Sequence, residues 1–126
     1  MRRTPVVLVI EDDRDCRRFY AAALHEALFE VVEAHNGLQA MEKAAESQPD
    51  VILTDLGIPG IDGFELCRRL KLDPRTSAVP IVAITGRYLS PVDHERVRRH
   101  GGICVLIKPI DPVDLVSNLR KVLAPT

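Results

Sequence analysis

The chain has 126 residues, 46% of them hydrophobic, which is enough for one packed core without room for a second, so residues 1–126 are expected to form a single domain. Its 17 basic and 18 acidic side chains leave a net charge of -1, which argues against a surface built for nucleic acid or a membrane. Cys16, Cys67 and Cys104 lack the short spacing of a zinc or redox pair, and the apolar run after Met1-Arg2-Arg3 is too short to span a bilayer and stops at Glu11 without a cleavage site; a cytoplasmic protein with reduced, mostly buried thiols is expected.

In chain order, the first strand-like run covers 5–10 and ends in the acidic cluster Glu11-Asp12-Asp13. A helical pattern follows, in which Phe19 and Leu24 read as core and Arg14-Arg17-Arg18 as a solvated face or a docking surface. The second run, 30–34, leads to a cap at Asn36-x-x-Gln39 and a helix closed by Gln48-Pro49-Asp50. The third run, 51–55, delivers Asp55 into the turn Leu56-Gly57-Ile58-Pro59-Gly60-Ile61-Asp62-Gly63, where Asp62-x-x-Glu65 opens the next helix and Asp73-Pro74 ends it. The fourth run, 80–85, ends in Thr85, and Ser90-Pro91-x-Asp93 opens a helix carrying Arg96-Arg98-Arg99-His100 and closed by Gly101-Gly102. The fifth, 103–107, ends in Lys108-Pro109, and Asp111-Pro112-x-Asp114 opens the last helix.

Short Val, Ile and Leu runs alternating with helices predict an α/β fold with a parallel sheet covered on both faces. Right-handed crossovers favour a flavodoxin-like three-layer sandwich with strand order 2-1-3-4-5 and five helices. That order sets the first and third strands side by side at the switch point where such sheets bind ligands. Glu11, Asp12 and Asp55 would converge there, with Thr85 and Lys108 flanking them.

Carboxylates crowded together call for a cation, and magnesium fits because it needs only one or two carboxylates, waters and a phosphoryl oxygen. Asp12 and Asp55 are expected as ligands, with Glu11 reaching through water. No histidine or cysteine is expected in the cluster, which argues against zinc or copper. A carboxylate beside magnesium and a lysine ammonium is a usable nucleophile toward phosphorus, so Asp55 is the candidate for an aspartyl phosphate. Lys108 and Thr85 would neutralise and bond its oxygens.

These residues carry a resemblance to a known family: the chain resembles the receiver domain of two-component response regulators along nearly its whole length. Glu11-Asp12 is similar to the family's metal-binding acids, Asp55 in Asp55-Leu56-Gly57-Ile58-Pro59-Gly60-Ile61-Asp62-Gly63 to its phosphoacceptor motif, and Thr85-Gly86 and Lys108-Pro109 to its other two signatures. The resemblance implies a magnesium-bound carbonyl from Gly57 and a cis peptide at Lys108-Pro109. It implies a regulatory domain whose only chemistry is self-phosphorylation and self-dephosphorylation. It implies a phosphoryl donor that is a phosphohistidine on a histidine kinase or histidine phosphotransfer protein, with acetyl phosphate as a substitute, and an output through protein contacts. A downstream protein target, or a fused output or kinase domain, would read the state; the start at Met1 and the end after Leu123 lean toward a stand-alone protein. A homodimer through the fourth helix, fifth strand and fifth helix is a further expectation, and neither membrane nor direct nucleic-acid contact is.

Val105 departs from the family, which carries Tyr or Phe three residues before the lysine; valine is too small and too stiff for a swinging-ring readout. Tyr88 is a candidate substitute. Gly57 and Arg87 point opposite ways for phosphoryl lifetime, one leaving space for water and the other covering the group. Asp13, Asp15 and Asp62 read as caps or solvated acids, and His25, His35, His94 and His100 as surface residues. A phosphatase of the aspartate-nucleophile type would need an acid where Gly57 stands. A binding module that works without phosphorylation is the remaining alternative, favoured by Val105 and opposed by the intact acids.

Overall fold

A computed structural model describes residues 4–57, 62–86, 90–99 and 102–124. The elements run β1 (Val6–Ile10), α1 (Arg14–Glu26), β2 (Glu30–Ala34), α2 (Gly37–Ser47), β3 (Val51–Asp55), α3 (Gly63–Leu72), β4 (Ile81–Thr85), α4 (Pro91–Arg99), β5 (Gly102–Ile107) and α5 (Pro112–Leu123). All five strands are parallel in the order β2-β1-β3-β4-β5, as the alternation of apolar runs predicts. Each strand end lies within a residue of the sequence expectation, because a strand buried on both faces is apolar throughout and stops where the charges begin.

Strand alternation divides the core into two layers. Val7, Val9, Val51, Leu53, Val82 and Ile84 face α1 and α5, meeting Tyr20, Leu24, Leu115 and Leu119. Leu8, Ile10, Ile52 and Ile81 face α2 and α3, meeting Ala40, Ala44, Leu66, Cys67 and Leu70. A smaller group, Leu56, Phe64, Ala83 and Val97 with Val105 packed against it, continues this second layer beneath α4. The helices α1, α2, α3 and α5 each place two core residues four apart, the spacing that keeps two side chains on one face. Phe19 corrects an expectation: it is 50% exposed, and Tyr20 takes the core position. Tyr20 and Leu24 are four residues apart, whereas Phe19 and Leu24 are five apart and point in different directions.

The capping grammar is largely realised. Asp13, Asn36, Asp62 and Asp111 each accept a backbone amide at the start of a helix. Ser90 and Asp93 exchange reciprocal bonds of 3.1 and 3.2 Å. At α3 the expected partner Glu65 instead takes Arg68 and Arg69, cations three and four residues on. Those guanidiniums hold the Glu65 carboxyl down at about 2. Gly102 begins β5, while Gly101 lies outside the described residues. The outer edge of β2 presents exposed Glu30 and Glu33.

Candidate functional site

Three strand ends bring three charged residues together at the C-terminal edge of the sheet. Glu11 continues the ladder beyond β1 through its amide, which donates to the Ala34 carbonyl at 3.0 Å, and it is 1% exposed. Asp55 closes β3 at 8% exposure, and its Oδ1 accepts the Gly57 amide at 2.7 Å. The Lys108 amide donates to the Thr85 carbonyl at 2.7 Å, which extends the pairing of β4 with β5 and aims the lysine back across the sheet. Its ammonium donates to Glu11 Oε1 at 2.5 Å and to Asp55 Oδ2. The Lys108–Pro109 bond is cis.

Burial pulls the Lys108 pKa down, but the hydrogen bonds and charges of Asp55 and Glu11 outweigh it and raise the group well above its ordinary 10.5. Burial lifts the Glu11 carboxyl, and the hydrogen bond from Lys108 together with the nearby Cys16 thiol offsets only part of that. The result is a compact ion triad, short of one cation for its two carboxylates.

Among the sequence-predicted residues, Glu11, Asp55 and Lys108 meet directly. Thr85 is buried at the adjacent end of β4, and Gly57 is exposed beside Asp55. Asp12 is exposed on the loop after Glu11. Among the described residues, no three His, Cys, Asp or Glu side chains close into a metal cage. Residues 58–61, Arg87, Tyr88 and His100 lie outside the described residues, and with them the Tyr88 and Arg87 expectations.

Two residues at the site were missed by the sequence reading. Cys16, expected away from the cluster, lies near enough to the Glu11 carboxylate for each to shift the other's pKa. Arg17, grouped with solvated arginines, donates to the Glu11 carbonyl at 3.0 Å and to Glu33 at 3.1 Å. The signal was the Asp13 cap, which starts α1 two residues after Glu11 and turns its first residues back over that loop. Arg96 likewise leaves its basic group, its guanidinium lying 3.9 Å above the Phe64 ring. Val105, at the usual ring position, packs inward on the Phe64 group.

The response regulator receiver domain family matches residues 7–120. This chain belongs to that family. It is 39% identical over 117 residues to the response regulator PleD of Caulobacter vibrioides, covering 90% of this chain and 25% of PleD. It is 31% identical over 118 residues to the protein PilH of Pseudomonas aeruginosa, covering 94% of this chain and 97% of PilH. The solved structure of the chemotaxis response regulator CheY4 of Vibrio cholerae superposes with a TM-score of 0.90 at 29% identity, covering 96% of this chain and all of CheY4. The receiver thus spans a quarter of PleD but nearly the whole of PilH. It is a regulatory domain of two-component signalling, and no helix among its described residues is long and apolar enough to cross a membrane.

Proposed function

We propose that this receiver takes a phosphoryl group onto Asp55 and reports it through altered protein contacts. The observation that carries the reading is the joining of one ammonium, Lys108, to both Asp55 and Glu11 at the carboxyl edge of the sheet. Asp55 is nearly buried yet lies at a strand end, where a donor can reach it.

The donor set fits magnesium in chemistry. Glu11, Asp12, Asp55 and the Gly57 carbonyl are hard oxygen donors, and the formal charges of the three acids exceed that of Lys108 by two. An open arrangement is what an ion that keeps several waters requires. When bound, magnesium neutralises charge on the phosphoryl oxygens. An Asp55 oxygen attacks phosphorus as the P–N bond of a phosphohistidine breaks, and the imidazole nitrogen keeps the electron pair and takes a proton from water. The Lys108 ammonium moves its bond from Asp55 to a phosphoryl oxygen, and the Thr85 hydroxyl donates to another. In self-dephosphorylation, water attacks phosphorus and Asp55 leaves as a free carboxylate with inorganic phosphate.

The partner classes are a histidine kinase or histidine phosphotransfer protein upstream, and a downstream protein target or fused output or kinase domain. Residues 1–126 make one receiver domain that works in the cytoplasm, with the α4, β5 and α5 face available for a homodimer. The donor docks on α1, where exposed Phe19 and Val113 of α5 flank an apolar groove of about 530 Å³. Phe19→Ala is expected to slow transfer from a phosphohistidine protein by about 10-fold while leaving the rate with acetyl phosphate unchanged, measured by phosphoryl transfer in parallel assays.

The test of the whole reading is the intact mass of the protein after acetyl phosphate treatment, with and without magnesium, followed by reduction of the adduct and peptide mapping. One magnesium-dependent phosphoryl adduct at Asp55 is the expected result. Absence of an adduct from acetyl phosphate and from a phosphorylated histidine partner would overturn it in favour of a binding module that works unphosphorylated.

A further inference from the structure

The turn that follows the reacting carboxylate is fixed by a bond that ends on that carboxylate. The Gly57 amide donates to Asp55 Oδ1 at 2.7 Å, and the residue this bond spans is Leu56. Leu56 is 5% exposed and packs in one buried group with Phe64 of α3, Ala83 of β4 and Val97 of α4. Gly63, the residue before Phe64, leaves no room for a Cβ against the Leu56 backbone, so α3 begins hard against this turn. The Phe64 ring also carries the half-buried Arg96 of α4, whose guanidinium lies 3.9 Å from the ring centre. Glu95, the acid beside Arg96, is paired with Arg98 instead. Among the described residues α4 buries one side chain, Val97, where α3 buries five residues, so α4 is the more lightly held helix and its stack on Phe64 counts for more.

We infer that the Arg96–Phe64 stack is the contact through which the state of Asp55 reaches α4. The inference rests on the proposed function and deepens it, since it names the route by which phosphorylation changes the protein's surface. When Asp55 becomes an acyl phosphate, its oxygens no longer share a full negative charge, and the Gly57 amide loses a charged acceptor. The backbone on either side of Leu56 then settles differently. Leu56 and Phe64 share a close-packed group, so a shift in one is passed to the other rather than absorbed. The guanidinium must follow the ring face to keep its attraction. The seating of α4 changes with it, and so does the placement of the exposed His94, Arg98 and Arg99. By linkage the coupling runs both ways, so a partner that grips the shifted α4 favours the phosphorylated state.

The test is backbone hydrogen exchange of α4, read by mass spectrometry with and without excess acetyl phosphate and magnesium, in the wild type, Arg96→Met, Arg96→Lys and Phe64→Leu. The Asp55 adduct is measured in every sample. In the wild type, phosphorylation is expected to change α4 exchange by at least about 3-fold, within what a cation on a ring face is worth. Arg96→Met and Phe64→Leu each remove one half of the stack and keep apolar bulk; both should still form the adduct, with the two states differing by less than about twofold. Arg96→Lys keeps a cation and should retain more of the difference than Arg96→Met, a rescue that a purely packing role for the side chain would not give. Arg96 is half-buried, so Arg96→Met decides the matter wherever Phe64→Leu fails to fold. An α4 that responds in Arg96→Met as strongly as in the wild type, or a wild-type adduct without any change in α4, would overturn the inference and leave the function standing. A wild type that forms no adduct, from acetyl phosphate or from a phosphorylated histidine partner, would overturn both.

Discussion

Replacing Lys108 with methionine is expected to slow phosphorylation of Asp55 by acetyl phosphate by about 100- to 1,000-fold, the usual consequence of removing one group that meets developing negative charge. The same change acts on stability, because it leaves Glu11 and Asp55 facing each other without their shared cation. Removing one partner from a fully buried pair costs about 3–5 kcal/mol; Lys108 keeps 23% of its side chain exposed, so about 1–3 kcal/mol is expected here. Urea unfolding at pH 7 measures this. The pH dependence gives an independent signature. Lys108 is raised above 10.5 in the folded state, so its contribution is whole below pH 10.5 and is lost as pH climbs through the folded value. The wild type should therefore lose this contribution only in strong base. In the variant the raised Glu11 group dominates, and its sign is the same: stability is present at low pH and lost as pH rises through the folded value. Lys108→Met should consequently recover stability as pH falls toward the ordinary carboxylate value of 4.5. A variant that phosphorylates at the wild-type rate would remove Lys108 from the chemistry.

Gly63→Ala is expected to damage the same site from a distance. A Cβ at Gly63 would lie 2.5 Å from the Leu56 Cα and 2.6 Å from its carbonyl oxygen, so backbone must move. Leu56 directly follows Asp55, and its amide donates to the Ile84 carbonyl at 3.0 Å, tying β3 to β4. Displacement therefore travels along the chain into the carboxylate. Overpacking costs about 1–3 kcal/mol where side chains can adjust, and contact with the Leu56 backbone, which is not the end of a flexible side chain, places this case at or above the upper end. Chemical denaturation should show that loss, and phosphorylation at a temperature where the variant remains folded should fall by at least about 10-fold, the range in which small misplacements act. Full stability would contradict the close packing of α3 on this turn.

The strands and most helix ends were legible because their signals are local. A run of β-branched residues bounded by charge needs no partner to be recognised, and a cap at Asp13 or Asp111 is settled within three residues. Glu11, Asp55 and Lys108 were legible as a set because parallel topology carries every strand end to one edge. What escaped was decided by helix phase and by partners distant in sequence. Arg17 looks like its neighbours Arg14 and Arg18 until β2 supplies Glu33 across from it. Cys16 and Phe19 both depend on where α1 begins: its phase turns Cys16 toward Glu11 and Tyr20 inward, and leaves Phe19 outside. Glu65 had two possible partner types within reach, and the paired arginines prevailed over the helix amide.

The exposed glutamates of β2 bear on how many copies of such a domain can coexist. A sheet whose outermost strand is bare can recruit another chain, and the growing stack has no natural end. Here a neighbour adding to β2 in register would set Glu30 against Glu30, a like-charge contact repeated with every chain added. Crowding therefore gains no foothold along that border of the sheet. Encounters between copies, or with other proteins, are left to the rest of the surface, where they can saturate and reverse, as a signal that must be switched off requires.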